Sequence, residues 1–256
     1  MLKKRIIATV LYNDEQVIKG QQFDSWRSVG HVRQAIKVYN SREVDEVILL
    51  DITATNENRE PNFDLIRDLA SEFFSPITIG GGIRTVEHFR LALANGADKV
   101  CICTSALDNP DLIVEAAEKF GSQAVTVCID YRSVANSGYC EVRSHSGRSR
   151  VEGLRPKRWA KTVEYFGAGE IVLNAIDRDG MMEGYDLDTI AEISSVVNIP
   201  VVACGGCGSY EHMAQAFDAG ASAVASGAVW LWEDATPAEA AEYLHERGYP
   251  VRRHRQ

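Results

Sequence analysis

The most informative chemical feature of this sequence is a carboxylate at the end of an apolar run. Residues 124–130 read Ala-Val-Thr-Val-Cys-Ile-Asp, a composition typical of a strand that is buried on both faces. A carboxylate is costly to bury without a partner, and α/β folds place their sites at the carboxyl ends of strands. We therefore interpret Asp130 as an acid or base in a polar cavity. An aspartate that only starts a turn is the alternative.

Two glycine clusters have the composition of phosphate-binding turns. Glycine lets backbone N–H groups approach an anion closely, and the helix that follows adds a favourable dipole. The first predicted site comprises Gly81, Gly82 and Thr104, and the second comprises Gly205, Gly206, Gly227 and Ala228, with Asp179 and Gly180 in the mouth beside it. Two such sites on opposite sides of one fold predict a ligand with a phosphate at each end. Glycines that serve only tight turns are the alternative.

The six cysteines do not form a metal-site pattern. Most of them lie in apolar runs, where a free thiol behaves as a small hydrophobic side chain. Cys204 and Cys207 have the spacing of a redox motif. Because the sequence has no second pair of this kind with nearby histidines, zinc is poorly supported. We predict neither a metal nor a cofactor.

The elements that position these residues alternate regularly. Eight apolar, β-rich runs are separated by amphipathic stretches, which predicts an α/β fold of the (β/α)8 TIM-barrel type. The runs are residues 5–11, 47–51, 77–80, 99–103, 124–130, 170–174, 200–204 and 223–226. The helical stretches are residues 63–74, 87–95, 112–120, 159–166, 187–197, 213–217 and 238–245, with Pro110 at a first helical position. No Ser- and Gly-rich stretch typical of a linker interrupts the pattern, so residues 1–256 are predicted to form a single domain.

The two halves of the chain resemble each other, which indicates an internal half-barrel duplication. Residues 49–52, 63–66, 79–82 and 96–100 match residues 172–175, 185–187, 203–206 and 220–224 in the same order. This alignment places Asp51 with Asn174 and Asp130 with Leu11. One half therefore has a carboxylate at the end of its first strand, where the other half has a leucine.

Composition argues against several classes of function. The net charge of −9 argues against nucleic acid as a partner, because phosphate neutralisation needs a basic surface. No apolar run approaches the roughly 20 residues of a membrane span, so no membrane association is predicted. The first residues are basic and then apolar but lack a small-residue cleavage site, so a cytoplasmic protein is expected.

Several longer motifs are similar to those of one known family. They are Lys4-Arg5-Ile6-Ile7, Leu50-Asp51-Ile52-Thr53-Ala54, Gly80-Gly81-Gly82-Ile83, Gly96-Ala97-Asp98-Lys99-Val100, Phe120-Gly121-Ser122-Gln123-Ala124-Val125 and Ile176-Asp177-Arg178-Asp179-Gly180. Together they resemble HisF, the family of cyclase subunits of imidazole glycerol phosphate synthase, over essentially the whole chain. The resemblance implies a barrel that receives ammonia from a HisH-type glutaminase partner at one end. It also implies a phosphorylated small-molecule substrate at the other end.

The resemblance further implies a charged ring where ammonia enters. The ring positions of the family correspond to Arg5, Glu46, Lys99 and Glu170, and Asp98 beside them corresponds to a residue that assists the glutaminase. Stabilisation of the barrel bottom alone is the competing interpretation, although a buried ion network is weak evidence for stability.

The opposite end of the barrel departs from the family's pattern. Asp130 corresponds to one of two catalytic carboxylates, but Leu11 occupies the position of the other. A leucine transfers no proton, and a placed acid or base typically contributes about 10²–10⁴-fold to a rate. Lys19, Asp51 and Ser146 correspond to active-site positions of the family. Three further positions differ, since Cys103 replaces an asparagine, Asn174 a threonine and Ala228 a serine.

Four functions are compatible with this pattern. The leading hypothesis is a HisF-like synthase subunit that uses ammonia on a phosphate-bearing substrate. It resembles the paralogues of surface-polysaccharide biosynthesis, which implies conversion of an acetamido group on a nucleotide-linked sugar into an acetamidino group. The alternatives are the histidine-pathway cyclase, with Asp51 or Lys19 covering for the missing acid, and a non-catalytic barrel that activates the glutaminase. A phosphosugar isomerase on the same half-barrel plan is the fourth, and the ring residues argue against it.

Overall fold

The computed structural model describes residues 3–135 and 137–252. Within these ranges the strands are β1 (Arg5–Asn13), β2 (Gln16–Gln21), β3 (Asp24–His31), β4 (Glu46–Asp51), β5 (Ile77–Gly80), β6 (Lys99–Ile102), β7 (Val125–Ser133), β8 (Cys140–Ser144), β9 (Ser149–Arg150), β10 (Glu170–Ala175), β11 (Val201–Cys204) and β12 (Ala223–Ser226). The helices are α1 (Val32–Ser41), α2 (Phe63–Glu72), α3 (Val86–Ala94), α4 (Thr104–Asp108), α5 (Asp111–Phe120), α6 (Pro156–Tyr165), α7 (Leu187–Ser194), α8 (Tyr210–Asp218), α9 (Ala228–Trp232) and α10 (Pro237–Glu246). Met1, Leu2, Asn136 and residues 253–256, which the predicted domain includes, lie outside the described residues.

Eight of these strands close into a parallel barrel. Their order around the barrel is β1, β4, β5, β6, β7, β10, β11 and β12, and β12 pairs with β1. At least one helix separates each barrel strand from the next along the chain. This confirms the predicted (β/α)8 fold. In the part of the chain that the structure describes, no helix is long and apolar enough to cross a membrane.

The predicted runs coincide with the barrel strands, and the differences lie at their ends. β7 continues to Ser133, so the prediction that the chain leaves the strand at Asp130 was wrong. The parallel ladder between β7 and β10 ends at Tyr131, and β7 then pairs antiparallel with β8. Pro110 is the residue that precedes α5 and does not occupy the first position inside it.

Two hairpins and three helices in the described ranges were absent from the sequence prediction. β2 and β3 extend β1 as one hairpin, and β8 and β9 extend β7 as the other. Most residues of β3 are exposed, so this strand lacks the alternation of apolar and polar residues that would reveal it. α4 and α9 have only five residues each, too few for a helical period. α1 has buried residues at helical spacing and was nevertheless missed.

Local sequence explains where several helices begin. Six helices follow a residue whose side chain accepts a hydrogen bond from the first helical turn: His31, Asn62, Thr85, Asp186, Ser209 and Thr236. At α10, Thr236 and Glu239 form a complete capping box. The apolar faces of the helices pack against the outside of the barrel, where the larger of two apolar clusters lies. The smaller cluster lies inside the barrel.

The strand register supports the duplication and corrects its alignment. In the first half, β1 pairs with β4 so that Ile7 lies beside Glu46 and Leu11 beside Leu50. In the second half, β7 pairs with β10 so that Thr126 lies beside Glu170 and Asp130 beside Asn174. Leu11 is therefore the positional counterpart of Asp130, as predicted. Asn174 corresponds to Leu50, so its predicted match with Asp51 was wrong by one residue. Because alternate residues of a strand face opposite sides, this one-residue difference decides which side chain points into the barrel.

Candidate active site

The carboxyl ends of the barrel strands surround a cavity of about 1040 Å³, counted with its open mouth. A space of this size suits a small-molecule ligand. Eight of the predicted site residues line the cavity: Lys19, Asp51, Gly81, Gly82, Thr104, Asp130, Ser146 and Asp179. They come from strands, loops and a hairpin that are distant in sequence, and closure of the barrel brings them together.

Asp130 projects from β7 into this cavity and is 7% exposed. The thiols of Cys103 and Cys128 donate to its two carboxylate oxygens over 3.5 and 3.4 Å, and the Asn174 amide donates over 2.9 Å. Burial raises the pKa of Asp130, and these three donors oppose the rise. Asp130 therefore holds its proton to higher pH than an exposed aspartate, as a general acid requires.

The wall opposite Asp130 is apolar. β1 and β7 lie four strands apart around the eight-stranded barrel. Leu11 of β1 lines the cavity beside Leu50, its neighbour on β4. The position that mirrors Asp130 therefore offers hydrocarbon and no second proton-transfer group.

The two other carboxylates that line the cavity are paired with cations. Asp179 accepts a hydrogen bond from Lys19 Nζ over 2.9 Å, and both side chains are buried. Asp51 lies 3.2 Å from Arg59 and also accepts from the backbone N–H of Thr53. Of the three, Asp130 is the one without a cation at ion-pair distance among the described residues.

Contact between a hairpin and a loop brings Lys19 into the site. Lys19 lies on β2, at the outer side of the barrel mouth. The backbone N–H of Gln22 donates to the Asp179 carbonyl over 2.8 Å. Gly180 approaches Gly20 so closely that a Cβ on Gly180 would overlap the Gly20 carbonyl. These contacts hold the β2–β3 hairpin over one side of the cavity.

The structure brings the residues of the first predicted phosphate site together. Gly81 and Gly82 have φ angles of +99° and +72°, which glycine adopts readily. A Cβ on Gly81 would overlap the Asp51 carbonyl. The hydroxyls of Thr104 and Ser146 form hydrogen bonds with backbone groups of neighbouring loops over 2.9 and 3.0 Å. Two glycines with positive φ and two small hydroxyl side chains therefore lie together on this side of the cavity.

The cavity is not lined by the residues of the second predicted phosphate site, Gly205, Gly206, Gly227 and Ala228. The Gly206 carbonyl accepts a hydrogen bond from the Gly184 N–H over 2.8 Å, which joins two neighbouring loops. Gly180 lies in a neighbouring pocket that shares Lys19 with the cavity. Phosphate binding at this second set of residues stays a prediction.

The cysteines of the redox-spaced pair are both free thiols, and Cys207 is buried while Cys204 is half-buried. Cys204 lines the cavity, and Cys207 lies behind it. Burial raises the pKa of Cys204 to about 12 and that of Cys207 to about 11. Both therefore remain thiols at neutral pH and are poor nucleophiles. In residues 3–135 and 137–252, no group of three or more His, Cys, Asp and Glu side chains is arranged to hold a metal ion.

Four charged side chains close the amino-terminal end of the barrel. Arg5 pairs with Glu46 at 2.6 Å and also with Glu170, and Lys99 pairs with the same two glutamates at 2.9 and 2.8 Å. The glutamate side chains are only 2% and 7% exposed. The four groups thus form a closed ring of alternating charge. Beside this ring, Asp98 accepts a hydrogen bond from a backbone N–H at the start of β5.

One apolar layer separates the charged ring from the cavity. Its members face the barrel axis and are almost fully buried: Ile7, Ile48, Cys101, Cys128, Val172, Val202, Ala223 and Ala225. Four of them, on β4, β6, β7 and β10, also form the floor of the cavity. An apolar layer disfavours ions and water far more than a small neutral molecule.

Comparison with known proteins agrees with this geometry. A family model described as "Histidine biosynthesis protein" matches residues 5–236. The chain is 42% identical over 252 residues to the imidazole glycerol phosphate synthase subunit HisF of Thermococcus onnurineus (strain NA1), covering 98% of this chain and 99% of the relative. It is 41% identical over 253 residues to the subunit of the same name from Chlorobium phaeovibrioides (strain DSM 265 / 1930), covering 98% and 100%.

The chain belongs to the HisF family. The resemblance that the sequence motifs indicated is therefore confirmed. Three positions that depart from the HisF pattern, Leu11, Cys103 and Asn174, all line the cavity. Two of them, Cys103 and Asn174, donate hydrogen bonds to Asp130. Three of the four predicted departures therefore line the same cavity as Asp130, and the fourth, Ala228, does not.

Two cavity residues of this HisF-family barrel were absent from the sequence prediction. Phe23 and Trp26 lie on or beside the β2–β3 hairpin and line the cavity. Phe23 has a φ angle of +63°, a conformation that places this turn residue in the left-handed region. The signal that could have revealed them is the pair of large aromatic residues within a polar, largely exposed segment that also contains Lys19.

Proposed function

We propose that this chain is the synthase subunit of a glutamine-dependent enzyme. A HisH-type glutaminase supplies ammonia at the charged ring, and the ammonia crosses the barrel to a phosphate-bearing substrate at the carboxyl ends of the strands. The observation that carries the proposal is the order of features along the barrel axis. A closed ring of charge, one apolar layer and a cavity with a buried acid follow one another.

The ring and the apolar layer suit passage of neutral ammonia. Lys99 forms three hydrogen bonds with Glu46 and Glu170, so displacement of this one side chain opens the ring. The layer above it offers hydrocarbon and thiols, which favour ammonia over ammonium because an unpaired ion is costly to bury. Ammonia therefore reaches the cavity as a nucleophile.

The substrate that we propose is a nucleotide-linked sugar with an acetamido group, as in surface-polysaccharide biosynthesis. Ammonia attacks the carbonyl carbon, the oxygen is protonated and leaves as water, and the acetamido group becomes an acetamidino group. We assign the protonation of the departing oxygen to Asp130, because its raised pKa keeps the proton available. We assign binding of a substrate phosphate to Gly81, Gly82 and Thr104, which line the cavity.

A second candidate is the cyclase of histidine biosynthesis. It is favoured by the 41–42% identity, over nearly the whole chain, to relatives named as subunits of imidazole glycerol phosphate synthase. The apolar wall at Leu11 argues against it, since the family's ring closure uses a carboxylate at that position. Loss of a placed acid or base typically lowers a rate by about 10²–10⁴-fold.

The experiment that separates the two candidates is an assay of imidazole glycerol phosphate formation with added ammonia. We expect the purified protein to be almost inactive in this assay. Leu11→Asp, which restores a carboxylate opposite Asp130, is expected to raise the rate by about 10²-fold or more. Leu11→Asn, which has similar size and no acid, is the control and should stay inactive. Cyclisation by the unmodified protein at an ordinary enzymatic rate would contradict the amidination proposal.

A further inference from the structure

A second pocket lies beside the main cavity and shares Lys19 with it. It occupies about 550 Å³ with its open mouth, and its lining includes Arg27, Met181, Met182 and Trp232. The β2–β3 hairpin contributes one side, and the segments after β10 and β12 contribute the other. A ligand that has its reacting group near Asp130 can therefore extend past Lys19 into this pocket.

Arg27 and Trp232 form the most distinctive feature of the pocket. Arg27 Cζ lies 5.4 Å from the centroid of the Trp232 ring, and the Trp232 side chain is among the few large apolar ones with substantial exposure, at 46%. Among the described residues Arg27 has no carboxylate partner. A free guanidinium is a planar donor that suits the oxygens of phosphate. An exposed indole face is a stacking surface for an aromatic ring.

The remaining lining fits a flat ring. Met181 and Met182 are half-buried, and their flexible thioethers adapt to an aromatic ligand. A sugar phosphate would use the cation and leave the indole and thioethers without a partner. A ligand that carries both an aromatic ring and phosphate uses all of them.

We propose that this pocket binds the nucleoside diphosphate part of the substrate. The diphosphate contacts Arg27, and the base stacks on Trp232, while the sugar extends past Lys19 towards Asp130. This inference rests on the proposed function, because it assigns a position to one part of the proposed substrate. It extends that function by naming the residues that select a nucleotide-linked substrate over a simple sugar phosphate.

The test is calorimetric titration of the full-length protein with uridine diphosphate, adenosine diphosphate and inorganic pyrophosphate at one ionic strength. At least one of the nucleotides is expected to bind about tenfold or more tightly than pyrophosphate, because only the nucleotides can stack on Trp232. Trp232→Leu and Arg27→Ala should each weaken nucleotide binding about tenfold. Trp232→Phe retains an aromatic face and should keep most of the affinity. It also shows that a change at this position leaves the fold intact.

Matched controls lie on α6, where Tyr165 is an exposed aromatic residue and Arg158 an exposed cation. Tyr165→Leu and Arg158→Ala should bind nucleotide as the unmodified protein does. If pyrophosphate binds as tightly as both nucleotides, or if Trp232→Leu has unchanged affinity, the inference is wrong. Nucleotide binding without any ammonia-dependent reaction would contradict only the proposed function. Ammonia-dependent turnover without nucleotide binding would contradict only this inference.

Discussion

Asp130 combines burial with weak hydrogen-bond donors. Its donors are two thiols and one amide, at 3.5, 3.4 and 2.9 Å, and none of the three is charged. Neutral donors of this kind compensate only part of the cost of burying a carboxylate, so the pKa of Asp130 is raised by burial. A raised pKa lets the residue act as an acid. It also means that ionisation of the buried carboxyl group destabilises the folded state.

This cost predicts a stability difference that depends on pH. Because the pKa of Asp130 is higher in the folded chain, the folded state binds its proton more tightly than the unfolded state does. Stability therefore falls as pH rises from the unfolded pKa, about 4, through the folded value. Asp130→Asn is expected to raise the melting temperature at neutral pH by about 2–4 °C. Well below pH 4, where Asp130 is protonated in both states, the difference should be small.

The control for this comparison is Asp64→Asn, since the Asp64 side chain is 83% exposed. It should shift the melting temperature by similar small amounts at both pH values. An equal stabilisation by Asp130→Asn at acid and neutral pH would contradict the argument.

In a complex with a glutaminase, the same variant should lose product while glutaminase stimulation persists. Retained product formation would favour the non-catalytic barrel.

At the scale of elements, the cavity depends on loops that approach one another closely. Gly81 has a positive φ, and any side chain there meets the Asp51 carbonyl at the end of β4. The β2–β3 hairpin is held by similar backbone contacts to the segment that contains Asp179. The shape of the cavity therefore rests on backbone packing at positions where no side chain fits.

We expect Gly81→Ala to destabilise the protein by roughly 3 kcal/mol, because an unfavourable φ and a steric overlap add together. Gly138 offers a matched control, since it also has a positive φ, +70°, but a Cβ there meets nothing within 4 Å. Gly138→Ala should cost only about 1 kcal/mol. Urea denaturation of the two variants measures both values, and an equal loss would show that the contact with Asp51 has no energetic effect.

At the scale of the whole molecule, the barrel has two functional ends joined by its axis. The charged ring lies at the amino-terminal end, and the cavity lies at the carboxyl end. Each end is assembled from strands of both halves of the chain, so neither half contains a complete site. The apolar cluster inside the barrel lies between the two ends.

Removal of one cation from the ring tests its role. Lys99→Met leaves two buried glutamates with Arg5 as their remaining cation in the ring, which should destabilise the barrel by about 3–5 kcal/mol. The control Arg90→Met removes an exposed pair with Glu87 and should cost no more than about 0.5 kcal/mol.

If the ring admits ammonia, Lys99→Met should change glutamine-driven turnover more than turnover with added ammonia. Equal effects on both activities would contradict a gating role.

The sequence by itself determined the barrel and the type of residue at each end. Period-two and helical patterns are local properties, so the eight strands and seven of the helices that follow them could be recognised without any long-range information. The same pattern placed Asp130 in this strand but ended the strand three residues early, since β7 continues to Ser133. The identity of the ring residues followed from the family's motifs.

Only the tertiary structure decided how these residues meet. The pairing of Asp130 with Asn174, which the sequence did not predict, depends on the register between β7 and β10. The two thiols that donate to Asp130 come from β7 itself and from the end of β6, and the hairpin that places Lys19 against Asp179 was not predicted. Such contacts join segments that are distant in sequence. They are fixed by strand order and closure of the barrel, which no local pattern specifies.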